Sequence, residues 1–168
     1  MAAELPVPIR FRLPDGWQAK DPEQVGADDV AFVALHPESQ QPGSTANITI
    51  DGDYRPDPAA LTDIADESVH NIEQVAETVT VTQRSELGSA EAPGLGQVLK
   101  FSTVINEVAR ELFQCQVYLS MLDTENPEQR VVLRLALTAN QEQFTALMED
   151  FQEFVASVRP DTDSGEGM

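Results

Sequence analysis

Three alternating segments follow one another from residue 97 to residue 138, and they constrain the fold more than anything else in the chain. Leu99, Phe101 and Ile105 alternate with polar residues in Gln97–Asn106. Phe113, Cys115, Val117, Leu119 and Met121 do so in Ala109–Leu122, and Val131, Leu133, Leu135 and Leu137 in Arg130–Thr138. A period of two over this length is the signature of half-buried strands. The break at Asn106-Glu107 is too short for a crossover, so the first two strands form an antiparallel hairpin. Asp123–Glu128 reads as a second hairpin loop.

Upstream, Val30–His36 and Thr45–Tyr54 read as strands, with Ala46, Ile48 and Ile50 alternating in the latter. Asp57-Pro58 starts a helix, because aspartate caps free amides and proline fits the first helical position. Leu61, Ile64, Ala65, Ser68, Val69, Ile72, Val75 and Ala76 then recur at helical spacing as one buried stripe. Thr78–Glu86 returns to a period of two, with Val79 and Val81 inward and Thr78, Thr80, Thr82 and Arg84 outward. Gly88–Gly96 reads as a turn-rich connection. Asn140 with Gln143 three residues on resembles a capping box. Phe144, Leu147, Met148, Phe151, Val155 and Val158 form the stripe of that last helix, with Phe154 at its margin and Pro160 as its stop.

The expectation is an α+β fold: a twisted antiparallel sheet of about six or seven strands with two main helices. At 168 residues the chain is one domain with enough length to bury a core. The expected layout is an N-terminal extension at 1–6, a single domain at 7–159 and an acidic flexible tail at 160–168. One sheet face is strongly apolar. On the second face Val98, Val104, Leu112, Val132 and Ala136 could sit under one helix.

At the N-terminus, Ile9, Phe11 and Leu13 alternate with Arg10 and Arg12, Pro14-Asp15-Gly16 breaks the strand, and Trp17 follows as an anchor. This IRFRLPDGW opening, with the order of strands and helices over about 7–158, resembles the Mog1/PsbP-like superfamily. That superfamily includes nuclear-import regulators, photosystem subunits, Lpq-type lipoproteins and Eag-type secretion chaperones. The resemblance implies an α/β/α sandwich and a role in binding rather than catalysis. The chain has no lipidation cysteine near its start, unlike the Lpq-type lipoproteins.

A formal charge of -19 repels nucleic acid and anionic lipid, so the expected partner is a protein, with no nucleic acid and no membrane insertion. An acidic surface also simply keeps a protein dispersed. Residues 1–8 show no signal-peptide pattern, which reads as a cytoplasmic chain; a chain trimmed of a leader reads the same. A monomer or weak homodimer is expected.

The cations fall on strands, opposite the apolar residues of each. Arg84, Lys100, Arg110, Gln114, Gln116, Tyr118 and Arg134 thus form a candidate partner-binding sheet face. The plainer reading is cross-strand ion pairing and edge protection.

No catalytic, cofactor or metal site emerges. Cys115 alternates with Phe113 and Val117 and reads as a buried structural thiol. His36 ends a strand, and His70 lies four residues after Asp66, which suits an intrahelical pair. Asp51-Gly52-Asp53 reads as a strand-end turn, not a calcium loop. Gly94-Leu95-Gly96 precedes a strand, so it is no phosphate cradle. The leading function is a non-catalytic protein-binding module, an adaptor or secretion-chaperone-like protein; the alternative is a small-ligand or lipid-binding module with an apolar pocket between helix and sheet, and an enzyme of unrecognised type ranks last. Phe101, Phe113, Met121 and Phe151 are the residues that would line such a pocket, or that would simply pack the core.

Overall fold

The computed structural model describes residues 9–25, 30–39, 46–54, 61–74, 76, 78–88, 93–105, 107–122 and 130–160. Along the chain the strands are β1 (Ile9–Arg10), β2 (Gln18–Lys20), β3 (Phe32–Leu35), β4 (Asn47–Tyr54), β5 (Thr78–Gly88), β6 (Pro93–Ile105), β7 (Val108–Leu122), β8 (Arg130–Ala139) and β9 (Arg159–Pro160). Helix α1 (Leu61–Glu73) lies between β4 and β5, and α2 (Gln141–Ser157) between β8 and β9. The proposed helix start at Asp57-Pro58 and the tail 161–168 lie outside the described residues.

Seven strands form one antiparallel sheet in the order β2-β3-β4-β8-β7-β6-β5. The fold is α+β as expected. The strands β6 and β7 meet at a tight hairpin, Ile105 opposite Val108, with Glu107 at φ 68°. The opening segment departs from its reading as a five-residue ribbon. Only Ile9–Arg10 forms a ladder, and it pairs with β9 outside the main sheet. Phe11 and Leu13 still pack on the core, because burial depends on where a side chain lands and not on ladder membership. Trp17 is buried, its Nε1 donating to Asp150 Oδ2 at 3.1 Å. Gly16, at φ +92°, is held so close to His36 that a Cβ would stand 3.2 Å from Nε2.

Each helix covers one face of the sheet. Leu147, Phe151 and Phe154 of α2, and Val158 just after it, pack on Val131, Leu133, Leu135 and Leu137 of β8 and on Ile48, Ile50 and Val117. Phe154, expected at the margin, is fully buried. The capping box of α2 forms in both directions: Gln143 N donates to Asn140 Oδ1 at 2.9 Å and Asn140 N to Gln143 Oε1 at 3.0 Å. Ile64 and Ala65 of α1 pack on Leu95, Tyr118 and Val132 on the other face.

Register corrects two assignments of face. Directly opposite residues of an antiparallel pair share a face. Lys100 lies opposite Phe113 and Val98 opposite Cys115, which puts Lys100, Val98 and Val104 on the α2 side. Leu99 and Phe101, opposite Gln114 and Leu112, belong to the α1 side. In β5 the register shifts between Val81 and Gln83, so Thr82 is an extra residue whose Oγ1 donates to Val98 O at 3.2 Å. The bulge turns Arg84 onto the same face as Val79 and Val81, where simple alternation had placed it opposite.

Two local readings also change. Asp51-Gly52-Asp53 is no turn, because β4 runs through it and pairs with Val132–Arg134. His70 Nδ1 lies 3.9 Å from Glu73 Oε1, not beside Asp66, and both side chains are exposed.

Candidate functional site

Two faces carry chemistry of different kinds. On the α1 side, a chain of side-chain contacts crosses the sheet. Asp66 meets Arg84 Nη1 at 2.9 Å. Arg84 donates from Nε and Nη2 to Gln97 Oε1 at 3.0 and 2.7 Å. Gln97 Nε2 donates to Gln116 Oε1 at 2.7 Å and to Ala65 O at 3.3 Å. Gln116 Nε2 donates to Ser68 Oγ at 3.0 Å and to Gln114 Oε1 at 2.5 Å, while Tyr118 OH donates to Gln116 Oε1 at 2.9 Å. Arg134 donates to Ser68 Oγ at 3.3 Å and to Asp51 Oδ2 at 2.7 Å. Both glutamine amides therefore use their two donors and two acceptor positions, the condition under which burying them costs little.

Six of the seven candidate face residues lie on this side: Arg84, Arg110, Gln114, Gln116, Tyr118 and Arg134. Lys100 lies on the other, 3.4 Å from Glu111. Gln116 and Tyr118 are buried, and α1 covers them rather than solvent. Arg110 is half-buried with its Nε out of solvent and without a hydrogen-bond acceptor among the described residues. A polar cleft of about 260 Å³ opens beside this network, lined by Asp51, Glu67, Ser68, Asn71, Tyr118 and Arg134. Burial pushes the Tyr118 phenol up against the pull of Ser68 and Arg134. Burial opposes the charge of Arg134, but Asp51 and Tyr118 outweigh it and its pKa moves up. A phenol that holds its proton and a guanidinium that keeps its charge do no acid–base work at neutral pH. Among the described residues no group of three or more His, Cys, Asp or Glu is placed to hold a metal ion.

On the α2 side lies an open groove of about 720 Å³ between α2 and β5–β7. It exists because α2 packs along β8 and β7, and on this face no described helix lies over the β5–β6 margin. Its apolar wall comes from Phe144, Met148 and Val155 of α2 and from Val98, Phe113 and Val117 of the sheet. The rings of Phe113 and Phe144 meet at 5.5 Å. Thr82, Gln83 and Ser85 of β5 form the opposite rim.

Of the residues expected around an apolar pocket, Phe113 and Phe151 line this groove, and Phe101 faces the other side of the sheet. The side chain of Met121 lies outside the described residues. Cys115 also lines the groove, and burial pushes its thiol up to about 11. The stripe of the last helix does not by itself separate groove wall from core. Its width was the available signal, because apolar residues from Phe144 to Val158 span more of the helix than one sheet contact covers.

The architecture recurs in solved structures. LpqN of Mycobacterium tuberculosis, described as involved in cell envelope biogenesis, superposes with a TM-score of 0.63 at 11% identity, over 91% of this chain and 84% of its own. The Ran-binding protein Mog1p of Saccharomyces cerevisiae gives 0.57 at 13% identity, over 90% of this chain and 89% of its own. The fold is Mog1/PsbP-like. The PsbP of the cyanobacterium Synechocystis gives 0.53 at 13% identity, over 90% and 86% of the two chains. No protein-family model and no curated protein sequence matches the chain. At these identities the likeness concerns the Mog1/PsbP-like fold alone, and function rests on the residues of this chain. No helix of the described residues is long and apolar enough to cross a membrane.

Proposed function

We propose that this protein is a non-catalytic binding module, an adaptor or secretion-chaperone-like protein, that shelters an apolar segment of a protein partner in the groove between α2 and β5–β7. One observation carries the reading: an open groove of about 720 Å³ with Phe113, Phe144, Met148 and Val155 along its walls. These wall residues are half-buried in the free chain, and a partner that covers what they still expose gains the transfer energy of that area. The description of Mog1p as a Ran-binding protein supports a protein partner for this fold.

The volume of the groove favours a second reading. Small-ligand sites run to about 300–1,000 Å³, so a lipid or other apolar small molecule also fits.

The test is binding of an environment-sensitive apolar dye to the wild type and to Thr145→Trp and Met148→Lys, which fill or charge the groove. The reading expects dye binding to the wild type and its loss in both variants. Equal binding to all three sinks the groove as the site. Displacement of the dye by a fatty acid but by no peptide selects the small-ligand reading.

A further inference from the structure

We propose that the partner segment binds as an added β-strand along β5, dropping every second side chain, apolar, into the groove and carrying Lys or Arg at the positions between. This deepens the groove reading above and rests on it.

The two ends of the sheet differ. At one end β2 is three residues long and finishes on Lys20, and a short, charged edge resists strand addition. At the other end β5 runs for eleven residues, Thr78–Gly88, without proline or lysine, and its ladder partner is β6. Thr78, Thr80–Gln83, Ser85 and Glu86 are exposed. An edge strand of this length turns about half of its backbone amides and carbonyls outward, free of the ladder. The bulge at Thr82 twists the first part of the edge away, which leaves Gln83–Gly88 as the straight portion. Gln83 and Ser85 on that portion are also the rim of the groove. An added strand there stands about 4.8 Å from β5, so alternate side chains reach over the rim toward the apolar wall.

Charge specifies the rest. The positions between point to the α1 side of the sheet, where α1 contains no Lys or Arg and exposes Asp63, Glu67 and Glu73, and where Glu86 of β5 is exposed beside them. The nearby cations are engaged: Lys100 by Glu111 at 3.4 Å, and Arg84 by Asp66 and Gln97 beneath α1. The whole chain carries -19. A basic segment is drawn to this edge, whereas a second copy of the chain brings like charge against like.

The probe is a ten-residue peptide of alternating valine and lysine, blocked at both ends. Two copies of it are N-methylated, one at every valine and one at every lysine. Strand addition needs the amides of one set, so at least one methylated copy binds tenfold or more weakly than the parent. Amide exchange at Gln83–Glu86 slows at least tenfold with the parent peptide, and affinity falls as salt rises.

Binding of both methylated copies within twofold of the parent overturns strand addition, and so does slowing of exchange that omits β5. Failure of the parent to bind while the apolar dye still binds also overturns it and leaves the groove reading standing. Failure of the dye as well removes both. A dimer of the protein alone with β5 amides protected assigns the edge to self-pairing and overturns the basic partner.

Discussion

Gln97 and Gln116 lie opposite one another on β6 and β7, and Nε2 of Gln97 donates to Oε1 of Gln116 at 2.7 Å with both side chains about 1% exposed. Two buried amides are tolerated only because each is fully partnered. Gln116→Leu strands the Gln97 amide and the Tyr118 hydroxyl, and is expected to cost about 1–3 kcal/mol in urea unfolding. Gln97→Leu takes the acceptor from Arg84 Nε and Nη2, at similar cost. The double variant is expected to lose less than the two single losses together, because each single removes the shared bond. Strict additivity contradicts the network.

Asp51 and Arg134 form the far end of the same chain at 2.7 Å, with side chains 24% and 33% exposed. Arg134→Met leaves the Asp51 carboxylate beside a polar cleft without its cation. The expected loss is about 1–3 kcal/mol, and Asp51→Asn in the same chain recovers part of it. Unfolding midpoints of the singles and the double measure this; no recovery in the double rules it out.

Cys115 is expected to resist alkylation at pH 7, since burial lifts its thiol from 9.0 to about 11 and only the thiolate reacts. Labelling within minutes in the native state contradicts this. The sign of the linked stability follows from the same shift. The folded state disfavours the thiolate, so the contribution is fully present below pH 9 and disappears as pH rises toward 11. The stability difference between wild type and Cys115→Ala is therefore expected to narrow over that window.

Trp17 anchors the first segment to α2 through Asp150 at 3.1 Å and rests 5.0 Å from the His36 ring. Trp17→Phe keeps the apolar contact and loses the donor, at about 1–2 kcal/mol. Gly16→Ala forces a side chain onto φ +92° and toward His36, at about 1–2 kcal/mol. Thermal unfolding distinguishes both from a silent surface change.

Local signals marked the elements whose stability is local. The capping box at Asn140 and Gln143, the antiparallel hairpin of β6 and β7 and the alternation of β7 and β8 all formed as read. Alternation is reliable there because neighbouring strands bury both sides of the ladder, and any slip would expose Leu133, Leu135 and Leu137. The same rule failed for Arg84. A single inserted residue, Thr82, reverses parity, and nothing in TVTVTQR marks which residue is extra. The candidate sheet face was partly legible as a set of polar residues. What lies over it was not, since Gln116 and Tyr118 pack against Ser68 and Val132, distant in the chain.

The order of residues alone determined an antiparallel α+β domain with two amphipathic helices, because hydrogen-bonding period and apolar period are properties of a single segment. Only the tertiary structure decided where those helices rest. With α2 lying over β8 and β7, no described helix covers the β5–β6 margin on that face, and Phe144, Met148 and Val155 line a groove instead of completing a core. The physical reason is that a stripe of apolar side chains states how much surface a helix can bury, while the competition among distant faces for that surface settles which part stays open.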